Sequence, residues 1–457
     1  MGRLAIAIRL SAFGTPMSTK SSQSAANHPN IKASKIATLG KAFSDGSLID
    51  VLRDPVSGRL RVLVSTGAHR TVARVVEFRG AAYRPRLDNR SILSGVRFPT
   101  AVGGFGSTLK LFTALRQQFL KYGFPAKAIV PLPYFVFSSW FPEAMPAVPS
   151  LLVTGPPAEC EFVMQLLHCM VRRPLRLGAI TPNALWSLPE GLCPTLLLNQ
   201  SGMTNTVAQI LRASSSRNVQ FLRSDKLISL SSPKIIYCGL TEQENLFSDI
   251  LLRVDIPPSR GHLLILDAIE QEEIATVFQS QLLSYRCQHF TDVCDSTCDF
   301  PEFDSPIRIL GRILGKPIVQ LPEVQASLEP LLRSLQEDAQ ASRAHDLHCV
   351  TIEALLHHVH KDPGQKIHVG KLTDTIMRIL KLRGQVREIE PEVVGRILRK
   401  DGFAARRDAQ GFSLRLDESV CVRIHELAQR FSVSAVYNGI EKCRYCKSTH
   451  GESAQAK

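Results

Sequence analysis

Residues 149–170, PSLLVTGPPAECEFVMQLLHCM, hold the side chains and spacing with the most chemical meaning in this sequence. An apolar run, Leu151, Leu152 and Val153, ends at Thr154-Gly155 and gives way to a short loop and a helix-like run over 162–170. Strand, glycine, four-residue loop and helix is the layout of a phosphate-binding loop, in which backbone N–H groups and a helix N-terminus hold the anion. Laid over G-x-x-x-x-G-K-[ST], Gly155 takes the first glycine, Cys160 the second, Glu161 the lysine and Phe162 the hydroxyl residue. Glu161 thus puts a carboxylate where a cation should meet the β- and γ-phosphates. Phe162 offers magnesium no ligand. The spacing predicts a nucleotide scaffold whose reactive groups have been exchanged.

A second strand candidate, 195–198, ends in Asn199-Gln200. In a nucleotide hydrolase, acids at this strand end hold magnesium and polarise the attacking water. Amides are isosteric but uncharged; they cannot act as a base and are poor magnesium ligands. Hydrolysis is therefore expected to be lost, and with it tight binding of ATP and magnesium. Further strands over 234–238 and 250–256 complete an αβ pattern that predicts a mostly parallel sheet.

On these residues the stretch 151–286 resembles the AAA+-like P-loop ATPases related to the superfamily-three helicases of phages and mobile elements. Besides the loop remnant, the likeness rests on LGAITPNALW (177–186), PTLLLNQSG (194–202), SSPKIIYCGL (231–240) and the strand after Asp249. The resemblance implies, in that order, the segment after the first helix, the Walker B strand, the sensor strand and the strand after an arginine that acts on a neighbour's nucleotide. It also implies assembly with further copies or with an active relative. Near the implied arginine stand Ser248 and Asp249, with Arg253 the nearest guanidinium. Departures at Glu161, Phe162, Asn199 and Gln200 make this a pseudo-ATPase within the resemblance. An active ATPase would need substitutes, Lys234 for the lysine and Asp249 and Asp255 for the acids.

The chain carries 55 Lys and Arg against 41 Asp and Glu, a formal charge of +14, which favours an anionic partner, with nucleic acid first. Helix periodicity recurs over 351–360 and 369–382, and Glu390-Pro391-Glu392 opens a third helix with Val393, Val394, Ile397 and Leu398 on one face. A hairpin over 404–407 and 412–416 follows, turning at 408–411. Three helices and a hairpin predict a winged helix, a variant of the helix-turn-helix. Between Lys371 and Arg407 ten Lys and Arg stand against five Asp and Glu. Arg396, Arg399 and Lys400 on the third helix, with Arg406 and Arg407 on the hairpin, are the candidate DNA contacts through phosphate neutralisation. A structural partner protein without nucleic acid is the competing reading.

The predicted order is a disordered basic tail (1–37), a small β-rich domain (38–100), a helical linker (101–148), the P-loop ATPase-like core (149–260), a helical lid (261–343), a winged-helix domain (350–430) and a basic cysteine-containing tail (431–457). Ser107, after a glycine-rich run, reads as the cap of a helix. Eleven scattered cysteines and no secretion signal point to reduced thiols in a cytoplasmic protein. Prolines at 131, 133, 142, 146 and 149 break the longest weakly charged region, so no membrane span is expected. Cys443, Cys446 and His450 form C-x2-C-x3-H, three local zinc ligands where a tetrahedral site needs four; His425, Cys421 or a second subunit could supply the last.

Overall fold

The structure, a computed structural model, describes residues 34–67, 69–199, 203–223, 226–237, 251–259, 265–409, 411–431, 433, 443 and 446. The chain enters on β1 (Ser34–Thr38) and β2 (Lys41–Ala42), then forms the antiparallel pair β3 (Leu48–Arg53) and β4 (Leu60–Thr66). Asp54 makes the turn between the last two, its carboxylate accepting from the N–H groups of Val56 (3.1 Å) and Ser57 (2.7 Å). The apolar-rich run 72–78 is divided between two strands. β5 (His69–Ala73) closes the sheet β2-β3-β4-β5, while β6 (Val76–Phe78) joins β7 (Ala81–Pro85) in the sheet β1-β7-β6. Val72 and Val75 stay exposed and Val76 turns inward, so the apolar run does not keep one face.

Four helices follow: α1 (Arg90–Gly95), α2 (Thr108–Leu120), α3 (Ala126–Ile129) and α4 (Pro131–Ser139). Ser107 does cap α2, accepting from the Lys110 N–H at 3.2 Å. Every residue of α4 is buried, and Pro131 is tolerated because a first helical position needs no N–H. Trp140 just beyond it donates from Nε1 to the Met170 carbonyl at 2.9 Å. Among the described residues no helix is long and apolar enough to cross a membrane.

The central layer alternates strand and helix: β8 (Ser150–Thr154), α5 (Pro157–Met170), β9 (Pro174–Leu177), α6 (Pro182–Trp186), β10 (Thr195–Asn199) and α7 (Asn205–Ala213). A short ribbon, β11 (Phe221–Arg223) with β12 (Lys226–Ile228), leads to β13 (Lys234–Tyr237) and β14 (Leu251–Asp255). The five long-range strands are parallel in the order β14-β8-β13-β10-β9. Helices cover both faces of such a sheet, which is why its strands read as unbroken apolar runs. This mixed α/β core with a parallel five-stranded sheet fits a P-loop ATPase-like fold.

Helices α8 (Ala268–Asp295), α9 (Ser305–Gly315), α10 (Pro322–Ala326) and α11 (Glu329–His345) come next. A short break separates α10 from α11, and the Tyr134 hydroxyl donates to the Val324 carbonyl at 2.8 Å just before it. The last part comprises α12 (Leu347–Lys361), β15 (Lys366–His368), α13 (Val369–Leu382), α14 (Pro391–Lys400), β16 (Arg406–Asp408), β17 (Gly411–Arg415) and α15 (Glu418–Arg430), with strands ordered β15-β17-β16. Leu355, Val359, Leu372, Ile376, Val394, Leu398, Leu414 and Ile424 form its own buried cluster.

A buried knot of charge ties the earlier parts together. Asp50 of β3 lies 3.1 Å from Arg172 and 3.5 Å from Arg286, and also pairs with Arg173. Glu143 completes it, 2.9 Å from Arg286 and 3.4 Å from Arg172. Burial works to raise the Asp50 carboxyl, but Arg173, Arg172 and Arg286 hold it well below the usual carboxylate range. Glu143 likewise resists burial and falls to about 2 beside Arg172 and Arg286.

Candidate functional site

In an open parallel sheet, ligands bind beyond the carboxyl ends of the strands. Here those ends are Thr154-Gly155, Asn199, Tyr237 and Asp255. The four-residue loop expected after Gly155 is absent, because α5 begins at Pro157. Pro156 is its N-cap and Pro157 its first residue, and neither carries an N–H to offer a phosphate. The next chain segment also closes the mouth: Ile256 N–H donates to the Thr154 carbonyl (2.7 Å) and Ser259 N–H to Glu159 Oε1 (2.8 Å). Glu159, in the first turn, complements the positive end of the helix itself.

Gly155 owes its identity to this closure. Its φ is +136°, and a Cβ there would stand 2.2 Å from the Ile256 carbonyl oxygen. Cys160 and Phe162 lie inside the helix and face the core, Phe162 against Tyr122 and Phe124 at ring separations of 4.8 and 6.0 Å. Glu161 pairs with Arg176 at the end of β9 and accepts from Asn199 Nδ2 at 3.0 Å and Gln165 Nε2 at 3.2 Å. Glu161 and Asn199, two of the expected departures, therefore touch each other. Gln200 lies outside the described residues. Arg176 was missed; its guanidinium supplies the charge that Glu161 needs.

The substitutes considered for an active site divide by position. Lys234 starts β13 opposite Ser150, at the other end of the sheet, roughly 16 Å of strand from Gly155. It donates to the Ser232 carbonyl (2.8 Å) and Ser215 Oγ (3.1 Å), and burial lowers its ammonium to about 7. It cannot replace a phosphate lysine. Asp255 is at the correct end, accepting from Thr154 Oγ1 and from Arg253 Nε at 2.9 Å. Asp249 lies outside the described residues. Because the cradle is closed by backbone, restoring charge should not reopen it. The Glu161→Lys/Asn199→Asp chain, with core residue Phe162 retained, is expected to bind ATP–magnesium no better than the native chain in titration calorimetry. Micromolar binding would show that the connection can unwind.

The basic candidates lie together. Val394 and Leu398 of α14 face the core, which leaves Arg396, Arg399 and Lys400 exposed along the opposite face at helical spacing. Arg406 and Arg407 are exposed on β16. None of the five makes an ion pair among the described residues. Arg383, by contrast, turns inward to Glu353 (2.8 Å to both oxygens) and the Ala344 carbonyl (2.6 Å). A groove of about 770 Å³ runs between α14 and the hairpin, lined by Gly370, Glu392, Gly395, Arg399, Ala404 and Phe412. Phe412, opposite Arg407 in the hairpin, is 55% exposed. Gly395 sits within α14, where nothing would touch an added Cβ, so its smallness keeps the groove open rather than relieving a clash.

Of the zinc candidates, Cys443 and Cys446 lie with His425 and with His360, which had no sequence signal. Cys421 is buried elsewhere, its thiol donating to the Leu416 carbonyl, and His450 lies outside the described residues.

No protein-family model matches this chain, and no curated protein matches it. Among solved structures it is similar to the C-terminal region of NrS-1 in an apo form, at 11% identity and a TM-score of 0.36, over 80% of this chain and 96% of that one. It is also similar to the JCV helicase (13% identity, TM-score 0.23, 49% of this chain and 67% of that one). A third is Drosophila ORC bound to DNA (12% identity, TM-score 0.19, 69% of this chain and 91% of that one).

Proposed function

We propose that this chain is a DNA-binding protein whose carboxyl-terminal helices and hairpin act as a winged helix, on a P-loop ATPase-like scaffold that does not turn over nucleotide. The observation that carries the reading is the set Arg396, Arg399, Lys400, Arg406 and Arg407, all exposed and without an ion pair among the described residues, on the helix and the hairpin that flank one groove, which Arg399 itself lines. Elsewhere on the surface some cations are engaged by acids, as Arg333 is by Glu329 and Arg423 by Glu426. Exposed cations are free to contact phosphates, and the major groove of a duplex admits an α-helix such as α14 or a two-stranded ribbon such as the hairpin. Exposed Phe412 adds an apolar surface for sugar or base. Arg383 is excluded from the set by its inward pairing.

The scaffold half of the proposal draws on the closed Gly155–Pro157 connection and the Glu161–Arg176–Asn199 contact. The Glu161–Arg176 pair carries no net charge, and its guanidinium is already engaged by the carboxylate, so the position of the phosphate lysine offers a triphosphate no unengaged cation.

Fluorescence anisotropy with a labelled random-sequence duplex tests the DNA half. Five phosphate contacts give a log–log salt slope of roughly −4 to −5, since each contributes about −0.9. Absence of binding at about 50 mM salt, where phosphate contacts are strongest, would sink the proposal.

A further inference from the structure

We propose that His360, His425, Cys443 and Cys446 form a structural zinc site that fastens the carboxyl-terminal tail to the α12–α15 helix pair. The four ligand atoms all lie within 4.8 Å of one another. His360 Nε2 is 3.2 Å from His425 Nε2, Cys446 Sγ is 3.3 Å from His360 Nε2, and Cys443 Sγ is 3.4 Å from His425 Nε2. Around a tetrahedral zinc, with Zn–N about 2.05 Å and Zn–S about 2.3 Å, the edges are roughly 3.3 Å between nitrogens and 3.6 Å between nitrogen and sulfur. The observed separations are close to those edges.

The elements explain how the ligands converge. His360 stands in the last turn of α12 and His425 midway along α15, and Val359, Ile424 and Ala428 pack in the core beneath them. His425 Nδ1 donates to the Cys421 carbonyl, one helical turn back, at 2.7 Å. That bond puts the ring proton on Nδ1 and aims the Nε2 lone pair at the other three ligands, the usual way an outer partner orients a metal-binding imidazole. His425 Nε2 is then an acceptor, as metal binding requires, and His360 Nε2 and the two sulfurs gather beside it. A cation satisfies all four at once.

Chemistry and charge select the metal. Two thiolates and two neutral imidazoles balance a divalent ion, so the half-buried site carries no net charge. Binding converts Zn²⁺ and two thiols into a neutral complex and releases two protons to solvent. Two sulfur and two nitrogen ligands at tetrahedral spacing favour zinc over magnesium or calcium, which need oxygen donors. Four protein ligands leave no open coordination position, so the role is structural, not catalytic. The C-x2-C pair supplies half of the site, and the two helices supply the rest.

Elemental analysis of the full-length protein, purified in reducing buffer without added metal, is expected to find one zinc per chain. Cobalt substitution should give the intense visible bands of a tetrahedral ion with a sulfur charge-transfer band. The Cys443→Ser/Cys446→Ser chain should lose both the zinc and the charge-transfer band, and His360→Ala should lose stoichiometric zinc. Cys421→Ser and Cys298→Ser should keep one zinc each. Should the variants fold poorly, the native chain still decides: stripping with chelator must lower its melting temperature, and zinc must restore it. Native protein without stoichiometric zinc that also gives no cobalt spectrum would overturn the proposal. So would a Cys443–Cys446 disulfide in that protein, or metal that survives the double serine substitution. None of these readouts depends on DNA binding.

Discussion

Exchange of Arg396, Arg399, Arg406 and Arg407 for alanine is expected to lower affinity for duplex DNA by roughly 4 × 10³-fold near 0.1 M salt. Each phosphate contact contributes about −0.9 to the log–log salt slope, or roughly eightfold in affinity at that concentration, and four such factors multiply. The slope should flatten by between three and four, because the loss is in counterion release and not in base reading. All four side chains are exposed and make no described ion pair, so their removal leaves no acid orphaned in the fold. Melting temperature should change little, since surface substitutions of this kind stay near ±0.5 kcal/mol each. Arg333→Ala, on α11 and paired with Glu329, serves as the control and should leave both affinity and slope unaltered. Single-site alanines should each cost a similar factor on every sequence tested. A variant that loses affinity on one sequence only would point to base contact at that side chain.

How much of this was legible in the sequence depended on which physical constraint fixed each element. The amphipathic stripe of 369–382 matches α13 residue for residue, and Glu390-Pro391-Glu392 marks the start of α14, because caps and periodicity are local. The hairpin was readable too, its turn set by Asp408 and Gly411. The Gly155 region was misread in its loop: a motif template assigned four loop residues, whereas Pro156-Pro157 is a helix-start signal in its own right. Strand β9 escaped because four residues beginning with a proline at a sheet edge carry almost no periodicity. Glu161 and Asn199 could be named as altered positions, but the Arg176 that holds Glu161 is a tertiary partner and no spacing rule points to it. His360 is the same case on a longer scale, brought to Cys443 and Cys446 only by the packing of α12 on α15.

Arg172-Arg173 illustrates the limit most sharply, and it carries the second large prediction. Two adjacent arginines carry no sequence sign of burial, yet in the fold Arg172, Arg173 and Arg286 are each 1% exposed. Among the described residues only Asp50 and Glu143 pair with them. Asp50→Asn keeps the shape of the side chain and removes the charge that three guanidinium groups share. Breaking a buried pair by removing one partner costs about 3–5 kcal/mol; here the removal leaves Arg173 without a carboxylate among the described residues and Arg172 and Arg286 sharing Glu143 alone. The urea midpoint of Asp50→Asn should fall accordingly with little change in slope. The acid side gives a second signature. Both carboxyls are held below their ordinary values, so their contribution is complete above the unfolded-state range near pH 4 to 5 and fades as pH falls toward about 2, where Glu143 takes up its proton. In Asp50→Asn that loss with acid should be shallower, because one of the two protonations has been made in advance. Relief should come from the opposite charge: Asp50→Asn with Arg286→Met leaves two guanidinium groups and one carboxylate, the same net charge as the native three and two. The double variant should recover part of the lost stability, a favourable coupling that a double-mutant cycle reads directly. Strict additivity of the two substitutions would mean that Asp50 acts through its own packing and not through the arginines it binds.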